Sequence, residues 1–153
     1  MAAALSVNLG ALLDDDVEVF RAFAEKSYRR RKNNNNVVRY LAYLLRDDDV
    51  GDGLSVGLSP EAAVKHLQTN EGYCRILVGA IHALPYGLQV RVDLADPNHA
   101  FICNLPLITI SDASRELAMV IGKELARMSI VVTCDPYIPP TPAVGQAANE
   151  GEN

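Results

Sequence analysis

With 153 residues, 49% hydrophobic and 22% charged, the chain has the size and make-up of one soluble folded domain, which excludes wholesale disorder and any need for disulfide staples. A formal net charge of −5 excludes a surface that grips nucleic acid all over and leaves room only for a local basic patch. Cys74, Cys103 and Cys134 are odd in number and far apart, so reduced, buried thiols in a cytoplasmic protein are expected, not a disulfide framework or a zinc site.

Residues 1–13 are mildly apolar, lack the basic start of a signal peptide and run into Asp14-Asp15-Asp16; they are expected to be mobile ahead of a single α+β domain over 14–134. The stretch 14–28 reads two ways. Asp15 and Glu18 stand at the capping-box offset with Val17, Phe20, Ala24 and Tyr28 on one helical face, whereas Val17, Val19, Arg21 and Phe23 alternate as a strand would. Arg29-Arg30-Arg31-Lys32 and the four asparagines after it predict an exposed loop, because like charges repel and asparagine side chains compete for backbone hydrogen bonds. Residues 37–46 stay open between strand and helix, and the aspartates and glycines of 47–53 mark a turn.

A short strand over 54–58 precedes the plainest helix start in the chain: Ser59 as N-cap, Pro60 at the first helical position and Glu61 in the first turn, predicting a helix over 59–69 with Ala63, Val64 and Leu67 inward. The centre reads as strands at 73–84, 87–94 and 99–105, divided by turns at Pro85-Tyr86-Gly87 and Asp96-Pro97-Asn98; Leu88, Val90 and Val92 alternate with a wet set, Gln89, Arg91 and Asp93. Residues 111–129 predict an amphipathic helix buried through Leu117, Val120, Ile121, Leu125 and Met128. A buried strand at 130–134 and a disordered, Pro- and Gly-rich tail at 135–153 complete the chain. The fold expected is therefore α+β, a mostly antiparallel sheet of about five strands with two helices packed on it. No apolar run is long enough to cross a membrane, so no membrane partner is expected.

His99 leads the candidate residues: an imidazole at a turn-to-strand junction beside Asp96 and Asn98 has the type and the setting of a general base, or simply begins a strand. Arg29, Arg30, Arg31 and Lys32, with Tyr28 and Tyr40 near them, have the chemistry to hold phosphates and stack on bases, or to be solvated. His66 and His82 fall in a predicted helix and a predicted apolar strand and suit surface or core roles. Neither a phosphate-binding glycine loop nor a calcium loop occurs, and no Gly-x-Ser-x-Gly elbow surrounds Ser55 or Ser59, so no cofactor and no metal are expected.

Three segments, Val19 to Phe23, "YLLRDDDVGDGLSVGLSPEAA" (43–63) and "DLADPNHAFICNLP" (93–106), resemble a diffuse set of short bacterial proteins with an aromatic-Arg-Ala opening, a Gly-Leu-Ser-Val strand and a late Pro-x-His-Ala followed by Leu-Pro. The resemblance implies that Arg21, Ser55 and His99 belong to one arrangement and that 17–23 is strand. The first two motifs are also similar to the opening of NAD-consuming ADP-ribosyltransferase-like and RES-type toxin domains, which implies Arg21 on a cofactor phosphate and Ser55 lining a nicotinamide pocket. The glutamate those enzymes use has no counterpart among Glu71, Glu116 and Glu124. The first expectation for function is a non-catalytic module that meets a protein partner through the wet side of the sheet and the turn over 96–100, with Asp96 and Asn98 as binding residues. The alternatives are a small NAD- or nucleotide-handling enzyme built on Arg21, Ser55 and His99, and nucleic-acid contact through Arg29 to Lys32.

Overall fold

Side chains that alternate between apolar and polar every second residue build the sheet, because successive residues of a strand face opposite ways. The computed structural model describes residues 9–23, 29–32, 35–45, 53–65 and 72–133. Its elements in chain order are β1 (Leu9–Leu12), β2 (Glu18–Ala22), β3 (Arg29–Lys32), β4 (Asn35–Val38), a 3-10 helix (Tyr40–Tyr43), β5 (Leu54–Gly57), α1 (Pro60–Val64), β6 (Tyr73–Leu77), α2 (Val78–Ala83), β7 (Gln89–Asp93), β8 (Asp96–Cys103), α3 (Asp112–Met128) and β9 (Ile130–Thr133). Seven strands form one sheet in the order β1-β7-β8-β5-β2-β6-β9, antiparallel throughout, and β3 pairs with β4 as a separate ribbon.

The α+β class and the antiparallel sheet are as expected; the counts differ, with seven strands and three α-helices in place of about five and two. One added strand is β1, inside the segment expected to be mobile: Leu9 and Leu12 register with Asp93 and Arg91. The expected loop at Arg29 to Lys32 is half of the β3–β4 ribbon, in which Arg29 faces Val38 and Lys32 faces Asn35. Two asparagines separate those strands in sequence, and asparagine is a favoured residue type for two-residue hairpin connections. Residues 66–71 and 134–153, including His66, Leu67, Cys134 and the expected tail, lie outside the described residues.

The stretch 73–84, expected as one strand, divides into β6 and α2. Pairing with β2 ends at Leu77 opposite Glu18, and the next amides turn to carbonyls before β2: Val78 N–H donates to Val17 O (2.8 Å) and Gly79 N–H to Asp15 O (2.9 Å). A Cβ on Gly79 would lie 2.9 Å from that same oxygen, so glycine permits the approach. His82 therefore sits on a helix, not a strand. Its Nε2 accepts the Val90 N–H (3.0 Å) and its Nδ1–H donates to Asp15 Oδ1 (2.9 Å), a pairing that only the neutral ring protonated on Nδ1 satisfies.

One face of the sheet is apolar. Val19, Leu54, Val56, Cys74, Ile76, Val90, Ala100 and Ile102 point into the core, where they meet Tyr43 from the 3-10 helix and Ile121 and Leu125 from α3. Ser111 caps α3, its side chain accepting the Ser114 N–H. Of the residues expected to face inward, Ile121 and Leu125 are buried as expected, but the buried face is turned toward Ala118, Gly122 and Ala126, and Leu117 and Val120 are 44% and 48% exposed. Small residues at four-residue spacing let the 3-10 helix approach, and a Cβ on Gly122 would stand 3.1 Å from Tyr40 O. The strand expected to be buried at the end, β9, is a sheet edge with Ile130 and Val132 exposed.

Leu125→Ala should lower unfolding free energy by about 2–5 kcal/mol in urea titrations, whereas Leu117→Ala should change it by no more than about 0.5 kcal/mol. His82→Leu should cost about 1–3 kcal/mol in the same assay, because it leaves the Val90 N–H without an acceptor.

Candidate active site

The other face of the sheet carries the chemistry. Strand register places Gly57 opposite His99 and Ser55 opposite Phe101, so Ser55 and His99 project from one side of neighbouring strands β5 and β8. α1 stands against this face. Ser59 caps it by accepting the Ala62 N–H (3.1 Å), and a Cβ on Gly57 would fall 2.5 Å from the Ala63 nitrogen, so only glycine admits the helix so near the site.

The turn before β8 differs from the expected one. The chain reverses at Leu94-Ala95, and Asp96-Pro97-Asn98 belongs to the strand. Asp93 Oδ1 accepts the Ala95 N–H (2.8 Å), an Asx turn, and Asp96 Oδ1 accepts the Asn98 N–H (3.0 Å). Between the pairs Val92–Ala100 and Asp93–Asp96 the register shifts, and Pro97, Asn98 and His99 have no partners in β7. Such a bulge re-aims the side chains beside it. Here it brings His99 Nδ1 to 3.0 Å from Asp93 Oδ2, while His99 Nε2 and the Ser55 hydroxyl are hydrogen-bonded. Phe101 sets its ring edge-on to the imidazole, 4.9 Å between centroids.

Donor and acceptor inventory fixes the direction of this run. A carboxylate only accepts, so the Nδ1 proton points to Asp93; in the neutral ring Nε2 then holds a lone pair, and the Ser55 O–H donates to it. The side chains of His99 and Asp93 are 18% and 11% exposed, so water competes little for these bonds. The arrangement is one in which a base stands against a hydroxyl and a third group orients the base.

Of the residues singled out in the sequence, Ser55 and His99 come together through their side chains. Arg21 reaches the same place from behind: paired with Cys74, it leaves β2 on the apolar face and donates from Nη1 to Ser55 O (2.8 Å) and from Nε to Ala42 O (2.8 Å). That is the opposite side of the sheet from the Ser55 hydroxyl. Asp96 and Asn98 are joined to one another, the Asn98 N–H donating to Asp96 Oδ1, while the His99 ring bonds to Asp93 and Ser55. Arg29, Arg30, Arg31 and Lys32 lie on the separate ribbon, placed by backbone alone. Asp93 is the participant that sequence reasoning counted only as a wet strand residue; a two-residue Leu-Ala link ahead of Asp96 was the signal for a tight hairpin closed by its side chain.

On the apolar face a second polar group is closed to solvent. Ser129 donates to Leu125 O (2.7 Å), so the Tyr43 hydroxyl donates to Ser129 Oγ (2.6 Å) and faces Cys74 Sγ at 3.4 Å. Burial, more than any neighbour, raises the Tyr43 phenol well above its ordinary range and pushes the Cys74 thiol from 9.0 to about 11. A thiol held protonated in this way is a poor nucleophile at neutral pH. Among the described residues, no group of three or more His, Cys, Asp or Glu side chains is gathered to hold a metal ion, and no helix is long and apolar enough to cross a membrane.

The raised Cys74 value sets an alkaline limit. Its contribution to stability is complete below pH 9, where folded and unfolded chains both keep the proton, and is lost as pH rises through about 11, because only the unfolded chain ionises freely in that interval. Urea midpoints should fall between pH 9 and 11 by an amount equivalent to about 2–3 kcal/mol, and Cys74→Ala should flatten the decline below pH 10. No protein-family model matches this sequence, and neither a curated protein nor a solved structure gives a significant match, so the chemistry of the site rests on its own geometry.

Proposed function

We propose that the chain is a serine-dependent hydrolase or acyltransferase acting on ester-type carbonyl substrates, with Ser55 as nucleophile, His99 as general base and acid, and Asp93 as the group that orients His99. The observation that carries this reading is the continuous run from Ser55 Oγ through both ring nitrogens of His99 to an Asp93 carboxylate that the Ala95 amide also pins. Ser55 Oγ bonds to the substrate carbonyl carbon while its proton passes to His99 Nε2. As the bond from that carbon to the leaving oxygen breaks, the proton on Nε2 moves to the leaving group. Water repeats the sequence: Nε2 takes its proton, its oxygen bonds to the acyl carbon, and the proton returns to Ser55 Oγ as the acyl bond breaks. Asp93 stays ionised and favours the transient imidazolium. The buried thiols of Cys74 and Cys103 support a reducing, cytoplasmic setting for this chemistry.

The second reading is the non-catalytic interaction module, supported by the exposed Ile130 and Val132 along the edge strand β9. An alkyl fluorophosphonate probe separates the two. Under the first reading wild-type protein gains one adduct, mapped to Ser55 by peptide mass spectrometry; Ser55→Ala gains none, and His99→Ala and Asp93→Asn react slower by on the order of a hundredfold or more while melting as folded proteins. Wild-type labelling no faster than that of Ser55→Ala overturns the enzyme reading and leaves the interaction module.

A further inference from the structure

We infer that Arg21 is a positioning residue for Ser55, acting from the apolar face of the sheet; this rests on the reading of Ser55 as nucleophile. β2 and β6 register at five consecutive pairs, from Glu18–Leu77 to Ala22–Tyr73, but β2 and β5 register at one alone, Phe20–Gly57. From that point toward Ser55 the guanidinium of Arg21 takes over as the link between the two strands. It holds the backbone carbonyl of Ser55, not its hydroxyl, so it bears on the reaction through where Oγ sits.

The other anchor of Arg21 is fixed from behind. Nε donates to Ala42 O in the 3-10 helix, where the neighbouring Tyr43 is held through its hydroxyl by Ser129 at the end of α3. β5 is thus fixed relative to His99 from both flanks, by its ladder with β8 on one side and by Arg21 on the other. The planar fork of arginine serves two carbonyls in different directions at once, which the single ammonium of lysine does not reproduce.

The test uses Arg21→Met and Arg21→Lys in the full chain. With fluorophosphonate, both variants should melt as folded proteins and label Ser55 more slowly, on the order of a hundredfold for Arg21→Met, with the loss in the saturating rate and not in the half-saturating probe concentration. In nitrogen-15 spectra the His99 Nε2 resonance of both should move toward its position in Ser55→Ala. Wild-type labelling rates and a wild-type His99 resonance in either folded variant overturn the inference. If Arg21→Met does not fold, Arg21→Lys decides by the same two readouts. Absence of labelling in the wild type defeats the nucleophile reading instead, and the resonance still reports whether Arg21 sets Ser55 against His99.

Discussion

The carboxylate of Asp93 is the constraint on which the rest of the site depends. A buried carboxylate is costly unless hydrogen bonds replace the water it loses, and this one has a donor for each oxygen: the Ala95 amide and the His99 ring. One side chain thereby closes the β7–β8 hairpin and orients an imidazole. The hairpin needs the bulge at Pro97, Asn98 and His99 to reconcile a two-residue turn with the register further along, and the same bulge delivers His99 to Ser55.

The two faces of one sheet hold polar groups in opposite chemical states. Cys74 and Tyr43 are sealed among apolar side chains, where desolvation keeps their protons on and their hydrogen bonds serve to join the 3-10 helix to β6 and α3. Ser55 is only partly covered and has an acceptor for its proton. Sulfur is intrinsically the better nucleophile of the two atoms, but burial keeps the Cys74 thiol protonated. Arg21 connects the faces, rooted on the apolar side and bonded to the backbone of the residue that faces the other way.

Local chemistry was legible wherever a few neighbouring residues suffice to specify it. Ser59 caps a helix that opens on Pro60, and Leu54 to Gly57 form the strand expected of them. Misreadings cluster where a distant partner decides. Residues 73–77 remain strand only as far as β2 accompanies them, and beyond it the chain coils because carbonyls of Asp15 and Val17 receive its amides. Hydrophobicity pointed to Leu117, Val120, Ile121, Leu125 and Met128 as the buried face of α3; Ile121 and Leu125 are buried, but Ala118, Gly122 and Ala126 displace Leu117 and Val120 because close approach to the 3-10 helix needs little volume. The site divides in the same way: Ser55, His99 and Arg21 stood in recognisable motifs, whereas Asp93 resembled any polar residue on the wet side of a strand.

The sequence by itself determined the antiparallel α+β class, the Ser59 helix cap and the residue types available for chemistry, since capping, turn formation and period-two burial act over a handful of adjacent residues. Tertiary structure alone decided that Ser55, His99 and Asp93 form one hydrogen-bonded run and that Arg21 bonds to the Ser55 carbonyl from the far side. Those relations depend on strand register, on a bulge in β8 and on which face each residue takes, and register is set by the simultaneous burial of side chains from strands far apart in the chain.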